Sequence, residues 1–132
     1  MLLQGGYEKY MDEWQKIFKQ WVAEIPGKDT RIVLLVLPHC AQVSSLCRKQ
    51  MQGVGAVMDE HDSLGQLKPP FVRAIESAAK ADPRVVAMFP LDAMQKAEKS
   101  GIKPYFNNDP HLSPSGQEWV GRWLFQQLKQ YL

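Results

Sequence analysis

Two unbroken apolar runs, Arg31–Leu37 and Arg84–Phe89, limit most what this chain can fold into. Turn-forming residues bound both: Asp29, Thr30 and Pro38 around the first, Asp82, Pro83 and Pro90 around the second. A strand wetted on one side alternates apolar with polar residues. A continuous run fits a strand covered on both faces, as in a parallel sheet. Parallel neighbours cannot be joined by a tight turn; they need a long crossover, usually helical. The sequence between and around the runs offers such helices, so the pattern predicts an α/β fold.

The strongest helix pattern covers Tyr7 to Ile25. Tyr7, Tyr10, Met11, Trp14, Ile17, Phe18, Trp21, Val22 and Ile25 recur at spacings of three and four, and Pro26 and Gly27 end the pattern. This aromatic stripe is read as core packing rather than as the wall of a ligand site. Ala41 to Met51 is expected to be helical. Gly53 to Pro70 reads as irregular, with a polar centre from Asp59 to Ser63; a loop of that length is either a lid or binding loop, or a solvated connection. A second periodic segment, Pro69 to Ala81, places Phe71, Val72, Ile75, Ala78 and Ala79 on one side. Ala93 to Ser100 forms a short helix closed by Gly101. A last helix buries Trp119, Val120, Trp123, Leu124 and Leu128. With 132 residues, 45% of them hydrophobic and 23% charged, the chain is expected to form one α/β domain over residues 1–132. Open sheets of this kind keep their chemistry at the carboxyl ends of the strands. His39, Asp92 and the Asp109–His111 loop are therefore expected there.

Asp109, Pro110 and His111 are the residues that carry chemistry. In extended backbone, residues two apart point to the same side. Pro110 fixes its own φ and keeps Asp109 out of the α region. The Asp109 carboxylate can then lie against one ring nitrogen of His111, as the acid of a Ser-His-Asp triad does when it orients the imidazole. Ser113 reads as an N-cap and Pro114 as the first helical residue. The plainer alternative is an Asp and a His that simply hold a surface loop ahead of a helix.

Asp109, His111, Ser113, Pro114 and Gly116, followed by an amphipathic terminal helix, resemble the last conserved block of the SGNH (GDSL-type) hydrolases. The resemblance covers roughly the last thirty residues. It implies a partial flavodoxin-like parallel sheet of two to three strands flanked by helices. It further implies an Asp109–His111 pair serving ester or O-acyl cleavage, with no cofactor and no metal. The family's serine stands in a G-D-S block, and this chain has none in the expected place. Gly5, Gly6, Tyr7 and Glu8 fall where the family carries G-x-N-D, so Tyr7 replaces an asparagine oxyanion donor. Without such donors an acyl-transfer site lacks its largest stabilising term. The resemblance therefore predicts the C-terminal part of an ester hydrolase, inactive alone. The alternative is a non-catalytic α/β interaction or structural module.

Two other residues qualify as nucleophiles by type. Ser63 lies in Asp62-Ser63-Leu64, but no buried strand leads into it as a nucleophile elbow requires. Cys40 follows the first strand run, and a thiol beside an imidazole can attack a carbonyl. Cys40 and Cys47 are seven apart. On one continuous helix that is about 10 Å along the axis, beyond disulfide reach, so free, partly buried thiols and a reducing compartment are expected. A metal site from His39, Asp109 and His111 is possible by residue type only, and His61 reads as part of a solvated loop. The net charge of +2 gives no ground for nucleic acid or an anionic membrane, and no run is long enough to span a bilayer. Met1 to Gly6 does not read as a signal peptide, which leaves the cytoplasm as the default. A sheet lacking its first strands leaves apolar surface open. The expected partners are a second copy or a missing N-terminal half, besides a small ester or O-acyl substrate.

Overall fold

The structure, a computed structural model, describes residues 7–58, 62, 64–65 and 68–131. It is mixed α/β and mostly helical. In chain order the elements are α1 (Tyr7–Glu24), β1 (Ile32–Leu35), α2 (Cys40–Val43), α3 (Ser45–Gly53), α4 (Pro70–Ala81), β2 (Val85–Met88), α5 (Leu91–Lys99) and α6 (Pro114–Leu128). A 3₁₀ turn, Lys129–Tyr131, ends the described chain. The described residues form two compact units, one within 1–36 and 67–89, the other within 37–66 and 90–132. The chain passes from the first to the second twice, each time just after a strand.

The first unit holds the sheet. β1 and β2 pair in parallel, with Ile32 opposite Val85 and Leu35 opposite Met88. Two backbone bonds extend the ladder at its ends, Ile32 N to Arg84 O (2.8 Å) and Val36 N to Met88 O (3.0 Å). None of the strand residues is exposed, which is why the two runs show no alternation. The strands are shorter than the apolar runs, the paired residues being Ile32–Leu35 and Val85–Met88. Phe18 and Val22 of α1 meet Ile32, Val85 and Ala78 of α4 in one buried cluster. Burial of this kind stabilises by roughly 1.5–3 kcal/mol per large side chain. Trp14 stacks on Phe18 at 5.1 Å between centroids, and the Gln15 side-chain amide donates to Ala74 O (3.2 Å), tying α1 to α4.

The carboxyl end of α1 is closed from a distance. The Arg84 guanidinium donates to Val22 O (2.9 Å), which also accepts from Ile25 N (3.3 Å), and to Ile25 O (3.1 Å), helping to satisfy the carbonyls at a helix end. Asp82 in turn accepts from the Arg84 backbone N–H (2.9 Å) and pairs with its guanidinium (3.0 Å). The hydrogen bond from the Arg84 side chain, then that from its backbone, hold the Asp82 carboxyl below the usual carboxylate range.

The second unit corrects the reading of Ala41–Met51 as one helix. Ser44 is extended (φ −114°, ψ 125°) and separates α2 from α3. Its hydroxyl caps α3 by accepting from Cys47 N (3.3 Å). Serine competes well with helix geometry in this way. The break brings the Cys40 and Cys47 Cα atoms to 5.9 Å, and the two cysteines form a disulfide. Their expected free-thiol state is overturned because the 10 Å separation assumed a helix that does not exist. α2 packs on α5, and Cys40, Val43 and Met94 on these helices are fully buried. Buried Gln95 donates to Gln42 O (2.6 Å) and Leu64 O (3.1 Å). The Gln42 amide donates to Gly65 O (3.3 Å), and a Cβ on Gly65 would lie 2.5 Å from Gln42 Cα. Arg48 bonds the Asp62 carbonyl and faces its carboxylate, both side chains nearly buried. Asp62, Leu64 and Gly65 of the long connection after α3 are therefore held by α3, α5 and α2.

Candidate functional site

The segment ahead of α6 is a hairpin, which the sequence pattern did not reveal. Tyr105 bridges Leu112 in antiparallel fashion, and Phe106 N donates to His111 O (3.1 Å). Asn107 and Asn108 make the turn. Asn108 adopts φ 60°, a left-handed conformation that asparagine tolerates better than most residues. The two pairs separate into two faces. Tyr105 is buried, and its hydroxyl donates to Pro38 O; burial pushes this phenol up to about 12. Phe106 and His111, directly opposite one another, point outward.

The hairpin is moored to the start of α6. Ser113 N donates to Pro104 O (2.9 Å). The Ser113 hydroxyl donates to Lys103 O (2.5 Å) and accepts from Gly116 N (3.0 Å), which is the N-cap expected at this position. α6 begins at Pro114. Gly116 is required by contact rather than by its dihedral angles: a Cβ there would lie 1.9 Å from Pro104 O. On α6 itself Val120 is buried, whereas Trp119, Trp123, Leu124 and Leu128 are half-buried.

Asp109 and His111 meet as the i, i+2 spacing predicts. Asp109 Oδ1 accepts from His111 Nδ1 (2.5 Å) and from the His111 backbone N–H (2.8 Å). The backbone bond, then the ring bond, hold the Asp109 carboxyl below the usual range. Because Nδ1 is engaged, Nε2 is the nitrogen left for other chemistry. The imidazole is 82% exposed and the carboxylate 49%. The arrangement fixes the ring orientation and the tautomer and presents Nε2 to whatever approaches the hairpin.

The other candidates are placed elsewhere. His39 is exposed at the N-cap of α2, where its Nδ1 accepts from Ala41 N (3.2 Å). Cys40 is buried in the disulfide and offers no thiol for attack. Asp92 is exposed in the first turn of α5. Ser63, His61, Gly5 and Gly6 lie outside the described residues, and Tyr7 is the first residue of α1. Among the described residues no three His, Cys, Asp or Glu side chains gather as a metal group. None of the described helices is long and apolar enough to cross a membrane.

Sequence reasoning missed Tyr105, Phe106 and the structural need for Gly116. The available signal was the Asn107-Asn108 pair between Tyr105-Phe106 and His111-Leu112, a turn signature flanked by bulky residues. Compared with protein-family models, curated proteins and solved structures, the chain matches none.

Proposed function

We propose that this chain carries the acid–base half of an SGNH-type serine ester hydrolase, with Asp109 orienting His111 and His111 acting as the general base. The observation that supports this reading is the double engagement of one Asp109 oxygen, by the Nδ1 and the backbone N–H of His111. A base must keep one tautomer and one orientation while its other nitrogen handles the proton. The serine would come from a segment carrying G-D-S on a preceding strand. Its hydroxyl proton passes to His111 Nε2 as the oxygen attacks the acyl carbon, and the same proton then leaves with the departing alcohol. The partial flavodoxin-like arrangement belongs to this proposal; β1 and β2 would be two strands of the larger parallel sheet.

The test is to fuse a strand and a G-D-S segment to the amino end and measure cleavage of a short-chain aryl ester. Turnover is expected, and His111→Ala should lower it by roughly 10²–10⁴-fold. The chain alone should show neither turnover nor fluorophosphonate labelling. Turnover in the fusion that ignores His111→Ala would end the reading. Stoichiometric labelling of a serine in the unfused chain would show that a nucleophile is already present.

A second reading, a non-catalytic module, draws on the exposure of the pair. An imidazole that is 82% exposed lacks the dry surroundings that strengthen catalytic electrostatics. Both readings allow a homodimer. Tyr10, Ile17 and Trp21 of α1 are each at least half exposed and follow one another at spacings of seven and four, along one line of the helix. Sedimentation of the purified chain at micromolar concentration checks this, and a stable monomer would remove the dimer.

A further inference from the structure

The hairpin does something besides aim His111. Tyr105 and Leu112 form an isolated antiparallel bridge, and next to it Phe106 N donates to His111 O (3.1 Å), which sets Phe106 beside His111 across the hairpin. Side chains directly opposite each other on one face have Cβ atoms about 4.5–5.5 Å apart. Tyr105 is buried to 8% while Phe106 stays 48% exposed. The turn thus holds an exposed apolar ring beside the His111 imidazole, whose Nδ1 is bonded to Asp109.

We propose that Phe106 is a substrate-contact residue, the platform on which the ring of a cyclic leaving alcohol rests while its oxygen meets His111 Nε2. This rests on the reading of His111 as the acid–base group. The chemistry decides which part of the substrate Phe106 touches. As the serine oxygen bonds to the acyl carbon, the ester C–O bond breaks. The proton taken from serine passes from Nε2 to the departing oxygen. That oxygen lies within hydrogen-bond reach of Nε2, so a neighbour of the imidazole contacts the alcohol side, and the acyl group stays with the serine. The apolar surface on offer is a single exposed ring. Phe106 stands on an exposed hairpin with the polar Asn107 and Asn108 beside it, so it offers one aromatic face. A rigid ring covers that face at once, whereas an open chain must freeze several rotors to do so.

The experiment uses the chain as it is, with its Phe and His rings isotopically labelled, and follows their NMR signals during titration with cyclohexanol or with ethanol, which has the hydroxyl but no ring. Cyclohexanol should shift the Phe106 and His111 ring signals together and saturably, and ethanol should not. Phe106→Leu, a surface substitution whose fold is checked by the amide spectrum, should weaken the cyclohexanol response at His111 by roughly fivefold. Absence of a Phe106 shift, an equal response to ethanol, or an unchanged His111 response in Phe106→Leu overturns the platform. His111→Gln separates the two proposals, because it should leave the Phe106 response in place. If the G-D-S fusion shows no turnover while ring binding persists, the hydrolase reading falls and the ring-binding surface stands. If the fusion turns over while Phe106→Leu responds as the parent does, only the platform falls.

Discussion

Asp82-Pro83-Arg84 and Asp109-Pro110-His111 are the same device used twice. In each, proline separates an aspartate from a donor two residues on. In each, one carboxylate oxygen accepts that residue's backbone N–H, at 2.9 and 2.8 Å, and the carboxylate also holds the side chain. Both carboxyls lie below their usual range because of these bonds. The difference is what the second residue does with its remaining donors. Arg84 spends them on two carbonyls at the end of α1, and its side chain is only 20% exposed. His111 keeps Nε2 unengaged by Asp109 on an 82% exposed ring. The Asp-Pro-x turn is therefore no sign of catalysis by itself. What separates a helix clamp from a candidate acid–base pair is the side chain at the third position and where it points.

The largest expected effect comes from attacking the mooring of only one copy. Gly116→Ala would place a Cβ 1.9 Å from Pro104 O and 2.7 Å from Pro104 C. Those are backbone atoms of the segment leading into the hairpin, and a side-chain rotation cannot relieve the clash. A cost of about 1–3 kcal/mol is expected, the range for overpacked sites, read from the denaturation midpoint. The amide signals of Phe106 and His111 should shift while that of Arg84 stays in place. An unmoved His111 amide would mean that the hairpin does not depend on the α6 junction.

Removing the third side chain of each device gives a smaller and asymmetric effect. Arg84→Met keeps the aliphatic stem but strips Ile25 O of its partner, leaves Val22 O with only the bond from Ile25 N (3.3 Å), and leaves Asp82 without its cation. The melting temperature should fall by several degrees. His111→Gln removes a ring that holds nothing up, and should leave the melting temperature where it was. Thermal unfolding of the two variants beside the parent checks the contrast. Equal losses would show that His111 is as structural as Arg84, which would favour the non-catalytic module.

The parts of this molecule legible in the sequence were those whose pattern is set by burial over several residues. β1 and β2 followed from the continuous apolar runs, α1 and α4 from their periodicity, and the start of α6 from Ser113 and Pro114. Single residues that override a pattern were not legible. Ser44 sits in a stretch that could continue as a helix, and its capping hydroxyl breaks that helix and brings Cys40 to Cys47. The hairpin has a single bridging pair, Tyr105 and Leu112, too short for alternation to show, so the pattern gives no sign of Tyr105 and Phe106. The Asp109–His111 contact was legible because a proline between the two residues constrains both. By the same logic the contact between Asp82 and Arg84 is legible, although a guanidinium in that place points to no chemistry.

The smallest expected effect is the acid response of the two carboxylates, which tests whether the devices are alike at the level of charge. Each carboxyl lies below 3.8, the ordinary value for aspartate. A group depressed on folding contributes stability that is present above its unfolded value and is lost as the pH falls through its folded value. Both turns should therefore stay intact through the mildly acidic range and loosen only below the ordinary aspartate value. The backbone N–H of Arg84 and of His111 reports its own carboxylate directly, because protonation weakens the bond it donates. Followed by NMR down to about pH 2, both amide signals should move upfield, each with a midpoint below 3.8. Asp109→Asn should abolish the transition at His111 and leave the one at Arg84 unchanged, since the two turns share no residue. The consequences should then diverge. Protonating Asp82 releases the partner that positions Arg84, so signals at the end of α1 around Val22 and Ile25 should follow that transition. Protonating Asp109 should disturb nothing beyond Phe106 to Leu112. An ordinary midpoint at His111 alone would show that the hairpin contact is weaker than its helix-clamping twin, and would remove the fixed orientation on which the acid–base reading depends.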